Sequence, residues 1–187
     1  LRPLVSLIGT LALGGCTVLG IRAGTEQPSY TVVAQLARDV EVRRYESRLA
    51  AETRVAAADE RGARGEAFGI LAGYIFGRSR SGEEVAMTAP VATAGAPEGL
   101  TMRFFMPSAY SRANLPDPLD PRVRIVEVPG ETLAVLRFTG GIDTTAVERR
   151  RAELLKVVEA SGWRVTGEPV SFFYDPPWTV PFLRRNE

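Results

Sequence analysis

Few residues in this 187-residue chain are arranged for catalysis. Glu83-Glu84 could pair as acid and base, but they precede an alternating run and read as solvated carboxylates. Lys156 is the one amine side chain, and it falls on the polar side of a helical pattern. There is no histidine, which removes Ser-His-Asp and Cys-His nucleophile systems, His-ligated zinc and the common pH switch. Asp117, Asp120, Asp143 and Asp175 stand beside prolines or at helix starts, where Asp caps and turns. Phosphate-binding glycine loops, calcium loops and zinc spacings are missing, so no structural metal is expected. Arg149-Arg150-Arg151 lies between Glu148 and Glu153, and the net charge is +1; together these argue against a nucleic-acid partner.

The single cysteine, Cys16, ends a short apolar run (Leu4 to Leu13, then Gly14-Gly15) that follows Arg2. That order is a signal peptide, 1–16, and its ending resembles a bacterial lipobox, implying lipidation of Cys16. The run is too short to span a bilayer. Membrane contact through the lipid anchor alone, in the bacterial envelope facing the periplasm or outside, is the expectation. Residues 17–37 read as a tether, and 38–187 as one domain.

The elements that must position any site follow from periodicity. Strands are predicted over Val40–Tyr45, Leu49–Ala57, Glu83–Val91, Leu100–Pro107, Val123–Val128, Glu131–Thr139, Trp163–Val170 and Ser171–Tyr174. Val123–Val128 and Glu131–Thr139 are expected to pair as a hairpin across Pro129-Gly130. Helices are predicted over Glu60–Phe76 and Thr145–Ala160, the second opening on a Thr145-x-x-Glu148 capping box and stopping at Ser161-Gly162. Leu49 and Leu133 are 84 residues apart, as are Leu71 and Leu155 and the helices as wholes. A constant offset with matching element order argues for a duplicated ββαββ unit, with halves about 38–107 and 122–187. The fold class is α+β: a distorted eight-stranded antiparallel barrel with two outer helices.

The second helix has one apolar stripe, Val147, Leu154, Leu155 and Val158, and reads as docked on a sheet. The first is apolar on two sides: Ala63, Ala67, Ile70 and Tyr74 form one row, and Phe68, Leu71, Ala72 and Ile75 another. Gly65, Gly69, Gly73 and Gly77 recur every four residues on one line of its surface. Each interior glycine costs about 1 kcal/mol against Ala. Such a notched strip needs a cover: a flat apolar ligand, a partner protein, or the chain's own last segment. That segment, Tyr174 to Glu187, carries three prolines, and Trp178, Phe182 and Leu183 read as the residues that tie it down.

Three stretches, Leu71-Ala-Gly-Tyr-Ile-Phe-Gly77, Val85-Ala-Met-Thr-Ala-Pro-Val91 and Tyr174-Asp-Pro-Pro-Trp-Thr-Val-Pro-Phe-Leu-Arg-Arg-Asn-Glu187, resemble the SOUL haem-binding protein family in the right order. The resemblance runs from about Val40 to Glu187 and implies the same pseudo-twofold barrel. It implies a porphyrin groove along the first helix, with Gly65, Phe68 and Gly73 in it and Tyr174 across from them; Gly69, Leu71, Ala72 and Ile75 complete the expected site. Arg64, Arg78 and Arg80 are the nearest partners for propionates. Without histidine, haem iron could be met only by Cys, Met or Tyr: Met87, Met102 and Met106 read as core filler, and Tyr45, Tyr74, Tyr110 and Tyr174 remain, Tyr174 first. The simpler expectation is no side-chain ligand, with haem or another tetrapyrrole held by its face. A structural lipoprotein docking a partner, and a hydrolase or dechelatase needing a paired acid and base, are the alternatives.

Overall fold

A computed structural model of the chain describes residues 24–56, 59–96 and 99–187. The expected signal peptide, the lipobox-like ending at Cys16 and the first part of the expected tether lie outside the described residues. The described residues form eight strands and two helices: β1 (Tyr30–Ala37), β2 (Val40–Tyr45), β3 (Arg48–Val55), α1 (Glu60–Ile75), β4 (Val91–Ala96), β5 (Gly99–Phe105), β6 (Arg124–Val128), β7 (Glu131–Leu136), α2 (Thr144–Ala160) and β8 (Ser171–Phe173). They make two antiparallel sheets, ordered β1-β2-β7 and β6-β3-β5-β4-β8.

This corrects the barrel expectation: among the described residues, strand pairing closes no ring, and β1 and β6 each have one paired neighbour. The expected hairpin also fails. Pro129-Gly130 carries the chain from one sheet to the other, so that β6 pairs with β3 and β7 with β2. Alternation tells which face a residue takes but not which strand is its neighbour. Residues 46–47 make the equivalent crossing between β2 and β3, and the two crossings touch. A Cβ on Gly130 would sit 3.2 Å from the Tyr45 carbonyl oxygen, so this close approach favours glycine.

The 84-residue offset carries one set of strand pairs onto the other. Val40 pairs with Leu136. Adding 84 to the first gives Arg124, subtracting 84 from the second gives Glu52, and Arg124 pairs with Glu52. Glu41–Val135 and Arg44–Thr132 map in the same way onto Ile125–Ala51 and Val128–Arg48. At the helix starts, the Thr144 hydroxyl meets the Glu60 carboxylate, two residues again separated by 84.

Three other expectations change. Residues 30–37, read as tether, are β1, an edge strand paired to β2 with two register shifts. Trp163–Val170 is not a strand, and neither is 83–90; β4 begins at Val91. In the first case the run is almost fully exposed, so no sheet face was available to make its alternation count.

Both helices start at an Asp. Asp59 accepts from the Gly62 amide (2.7 Å) and Asp143 from the Ala146 amide (3.0 Å), so α2 is capped by Asp143, two residues ahead of the expected Thr145 box. Gly77, at φ +96°, ends α1: its amide reaches the Tyr74 carbonyl, and the Arg78 amide reaches Gly73.

The helices are unequal in a way the sequence inverted. Helix α1 is the docked one: Ala63, Ala67, Ile70, Leu71, Tyr74 and Ile75 are buried, packed with Ala51, Val55, Leu100, Met102 and Phe104. In α2 only Val158 is buried. Leu71→Ala is therefore expected to cost about 3 kcal/mol, as for other core leucines, while Leu154→Ala costs about 1 kcal/mol or less. Urea denaturation of the two variants measures the contrast.

Candidate functional site

Helix α1 turns one side into the core and leaves a strip on the other. Gly65, Phe68 and Gly69 are exposed, Ala72 and Gly73 are partly so, and Phe76 at the helix end is 62% exposed. The Phe68 ring meets Phe104 edge-on at 5.3 Å between centroids and keeps 39% of its surface in water. An added Cβ at Gly65 or Gly69 would meet nothing within 4 Å. Neither position has a left-handed backbone, so the fold itself does not require glycine there. The notch at Gly73 is different: the Arg78 side chain lies over it, its Cδ 3.1 Å from where a Cβ would be.

Of the expected site residues, Gly65, Phe68, Gly69, Ala72 and Gly73 come together on this strip. Leu71 and Ile75 do not. Each is at most 1% exposed and belongs to the core, because the 3.6-residue period turns them under the helix.

Tyr174 is also a correction. It is buried in a second cluster with Phe105, Phe172, Ala50 and Val128, distinct from the one beneath α1. Its hydroxyl donates to Glu187 Oε2 (2.7 Å), and the Arg185 guanidinium stacks over its ring at 3.8 Å. Burial, then the Glu187 charge, hold its phenol well above the usual tyrosine range, which opposes iron ligation by a phenolate. Tyr74 is no freer. It donates to the Pro116 carbonyl (2.7 Å), and burial pushes it up to about 12. Met102 and Met106 are core residues as expected, but Met87 is exposed in the segment before β4.

The arginines also separate. Arg64 is committed to Glu60 and to the Ile142 carbonyl (2.6 Å), with its guanidinium 5.0 Å from the centre of the Phe173 ring. That leaves Arg78, beside Gly73, and Arg80, both exposed, near the end of α1. Glu83, one of the adjacent carboxylates, accepts from the Tyr110 hydroxyl (3.3 Å) and is exposed.

The last segment does not roof the strip, and its aromatics are not the tie. Trp178 and Phe182 are 65% and 72% exposed. The tie is polar. Glu187 exchanges two backbone hydrogen bonds with Phe172, and Asn186 two with Phe138. The buried Glu187 carboxylate accepts from Arg43 Nη1 (2.8 Å), Arg185 Nη2 (2.7 Å) and Tyr174. Arg43 and Glu187 are 144 residues apart, so no local pattern announces the pair. The described residues contain no cluster of three metal-binding side chains and no helix long and apolar enough to cross a membrane.

With this geometry in view, a family model described as "SOUL heme-binding protein" matches residues 25–187. No curated protein matches the chain. Among solved structures the chain is similar to the EcmrR C-terminal domain, with a TM-score of 0.58 at 11% identity over 84% of this chain and 93% of that one. It is also similar to a hydrolase from Listeria innocua, with a TM-score of 0.53 at 11% identity over 80% and 89%. At such identities the likeness is one of fold.

The buried phenols give a pH test. Tyr174 and Tyr74 titrate higher in the folded chain than their ordinary value of 10.0, so their stabilisation is complete below about pH 10 and is lost as the pH rises further. The urea midpoint is expected to be level up to about pH 9 and to fall above about pH 10. In Tyr174→Phe the fall is shallower, from a baseline lowered by about 2 kcal/mol because Glu187 loses a donor.

Proposed function

The chain belongs to the SOUL haem-binding protein family, a family of binding proteins, and from that premise we propose that it binds haem or a related tetrapyrrole through the outer strip of α1. The observation that carries this reading is the bare backbone at Gly65 and Gly69. Two interior glycines together give up about 2 kcal/mol of helix propensity. Nothing in the fold crowds them, and two half-exposed phenylalanines flank them. A planar guest could lie face-on against such a surface, between Phe68 and Phe76, its carboxylates toward Arg78 and Arg80.

The iron has no side-chain ligand in this reading. Covering about 300 Å² of macrocycle contributes about 7 kcal/mol gross at about 25 cal/mol/Å², and association costs offset much of it. Binding is then micromolar or weaker, and haemin and metal-free protoporphyrin bind alike. A Soret titration of the purified protein with both tests this. Gly69→Leu is expected to abolish binding with an unchanged circular dichroism spectrum, and Gly69→Ala to raise stability by about 0.5–1 kcal/mol. A strong preference for haemin would overturn the no-ligand assignment. Unaltered binding in Gly69→Leu would overturn the site. A protein partner is the competing occupant of the strip, favoured by the wide exposure of Phe76.

The same reading takes the chain as anchored in the envelope through lipidated Cys16, facing the periplasm or outside, carrying its ligand without transforming it. Replacing Cys16 by Ser should move the protein from the membrane to the soluble fraction on cell fractionation; retention in the membrane would contradict the anchor. The matching registers at an offset of 84 support an origin of the domain by duplication of one ββαββ unit.

A further inference from the structure

Helix α2 carries an apolar stripe, Val147, Leu154, Leu155 and Val158, of which only Val158 is fully buried, and beside it opens a cleft of about 740 Å³. Val147 and Leu154 line it from α2; Leu136 and Phe138 line it from the end of β7, Leu100 from β5, and Val170 from the approach to β8. That volume is typical of a site for a drug-sized molecule.

The charges of the lining decide the class of guest. Its three guanidiniums are all engaged: Arg64 by Glu60, Arg150 by Glu153 and Arg151 by Glu148. Five carboxylates line the same space. Glu60 and Glu148 are balanced by those arginines, and Glu187 by Arg43 and Arg185. Two remain. Asp59 accepts only the Gly62 amide that it caps, and Glu168 pairs with no cation among the described residues. The cleft therefore combines apolar walls with unbalanced negative charge, which repels a dicarboxylate and favours a cation.

We propose that the cleft between α2 and the two sheets is a second binding site, for an apolar organic cation, separate from the strip on α1 and independent of the tetrapyrrole reading. Leu136, Phe138, Val147 and Leu154 cover the hydrophobic body of the guest, and Asp59 and Glu168 supply the opposing charge.

The test is fluorescence anisotropy of the cationic dye rhodamine 6G with the purified protein, against the anionic dye 8-anilinonaphthalene-1-sulfonate. Saturable rhodamine binding is expected, about tenfold tighter than that of the sulfonate. It should be lost in Leu154→Trp, which fills the cleft, and weakened about threefold in Glu168→Gln, where a partly solvated charge is removed. Gly69→Leu should leave it unchanged, so the two sites can fail separately. Equal affinity for the two dyes would overturn the proposal, as would binding that survives Leu154→Trp. Glu168→Gln lies at an exposed position, so unchanged affinity there overturns the charge assignment even if the Trp variant does not fold.

Discussion

A carboxylate held out of water must be satisfied by the groups around it, and the Glu187 side chain, with no solvent exposure, is satisfied by Arg43, Arg185 and Tyr174. Removing one partner of a buried pair of this kind typically costs about 3–5 kcal/mol, because the other charge is left stranded. The pair joins β2 of the three-stranded sheet to the segment that follows β8 of the five-stranded sheet. Backbone bonds from Asn186 to Phe138 and from Glu187 to Phe172 run beside it. Residues 185–187 thus add a bridge between two sheets that share no strand ladder. The segment is fixed on the side of the second core cluster, which is why it cannot also lie over α1.

That placement explains the contrast between the helices. Helix α1 has a full inner face, and the fold has nothing left to cover its outer one. Helix α2 has an apolar stripe of ordinary size, but it faces strand ends and a charged rim, and only Val158 reaches full burial. The two helices therefore border different surfaces: a notched strip on α1, and beside α2 an apolar cleft that Asp59 and Glu168 line with surplus carboxylates.

Much of this was readable from the residues. The limits of α1, the stop at Gly162 and the glycine line came from helical period and capping chemistry, which are local. The exposed members of the strip followed from that period, but the same period, applied strictly, would have sent Leu71 and Ile75 inward. Strand neighbours were not readable: β6 and β7 looked like a hairpin because Pro129-Gly130 turns the chain, whereas the turn moves it between sheets. The run 163–170 alternates without a sheet to pair with, and 30–37 pairs although it follows a polar leader segment. The resemblance implies a groove position for Tyr174, whereas its partner in the structure, Glu187, is linked to Arg43 across 144 residues. The open space beneath α2 is a property of packing that composition does not encode.

The outer strip of α1 stays available because the 171–187 segment is tied elsewhere, and in the proposed reading a flat guest uses it. Ring-current shifts in an NMR titration with metal-free protoporphyrin read this most directly. Large upfield shifts are expected at the Gly65 and Gly69 amides and the Phe68 ring, with Leu136, Phe138 and Leu154 unmoved. Shifts concentrated at those three residues, with the α1 amides silent, would contradict it.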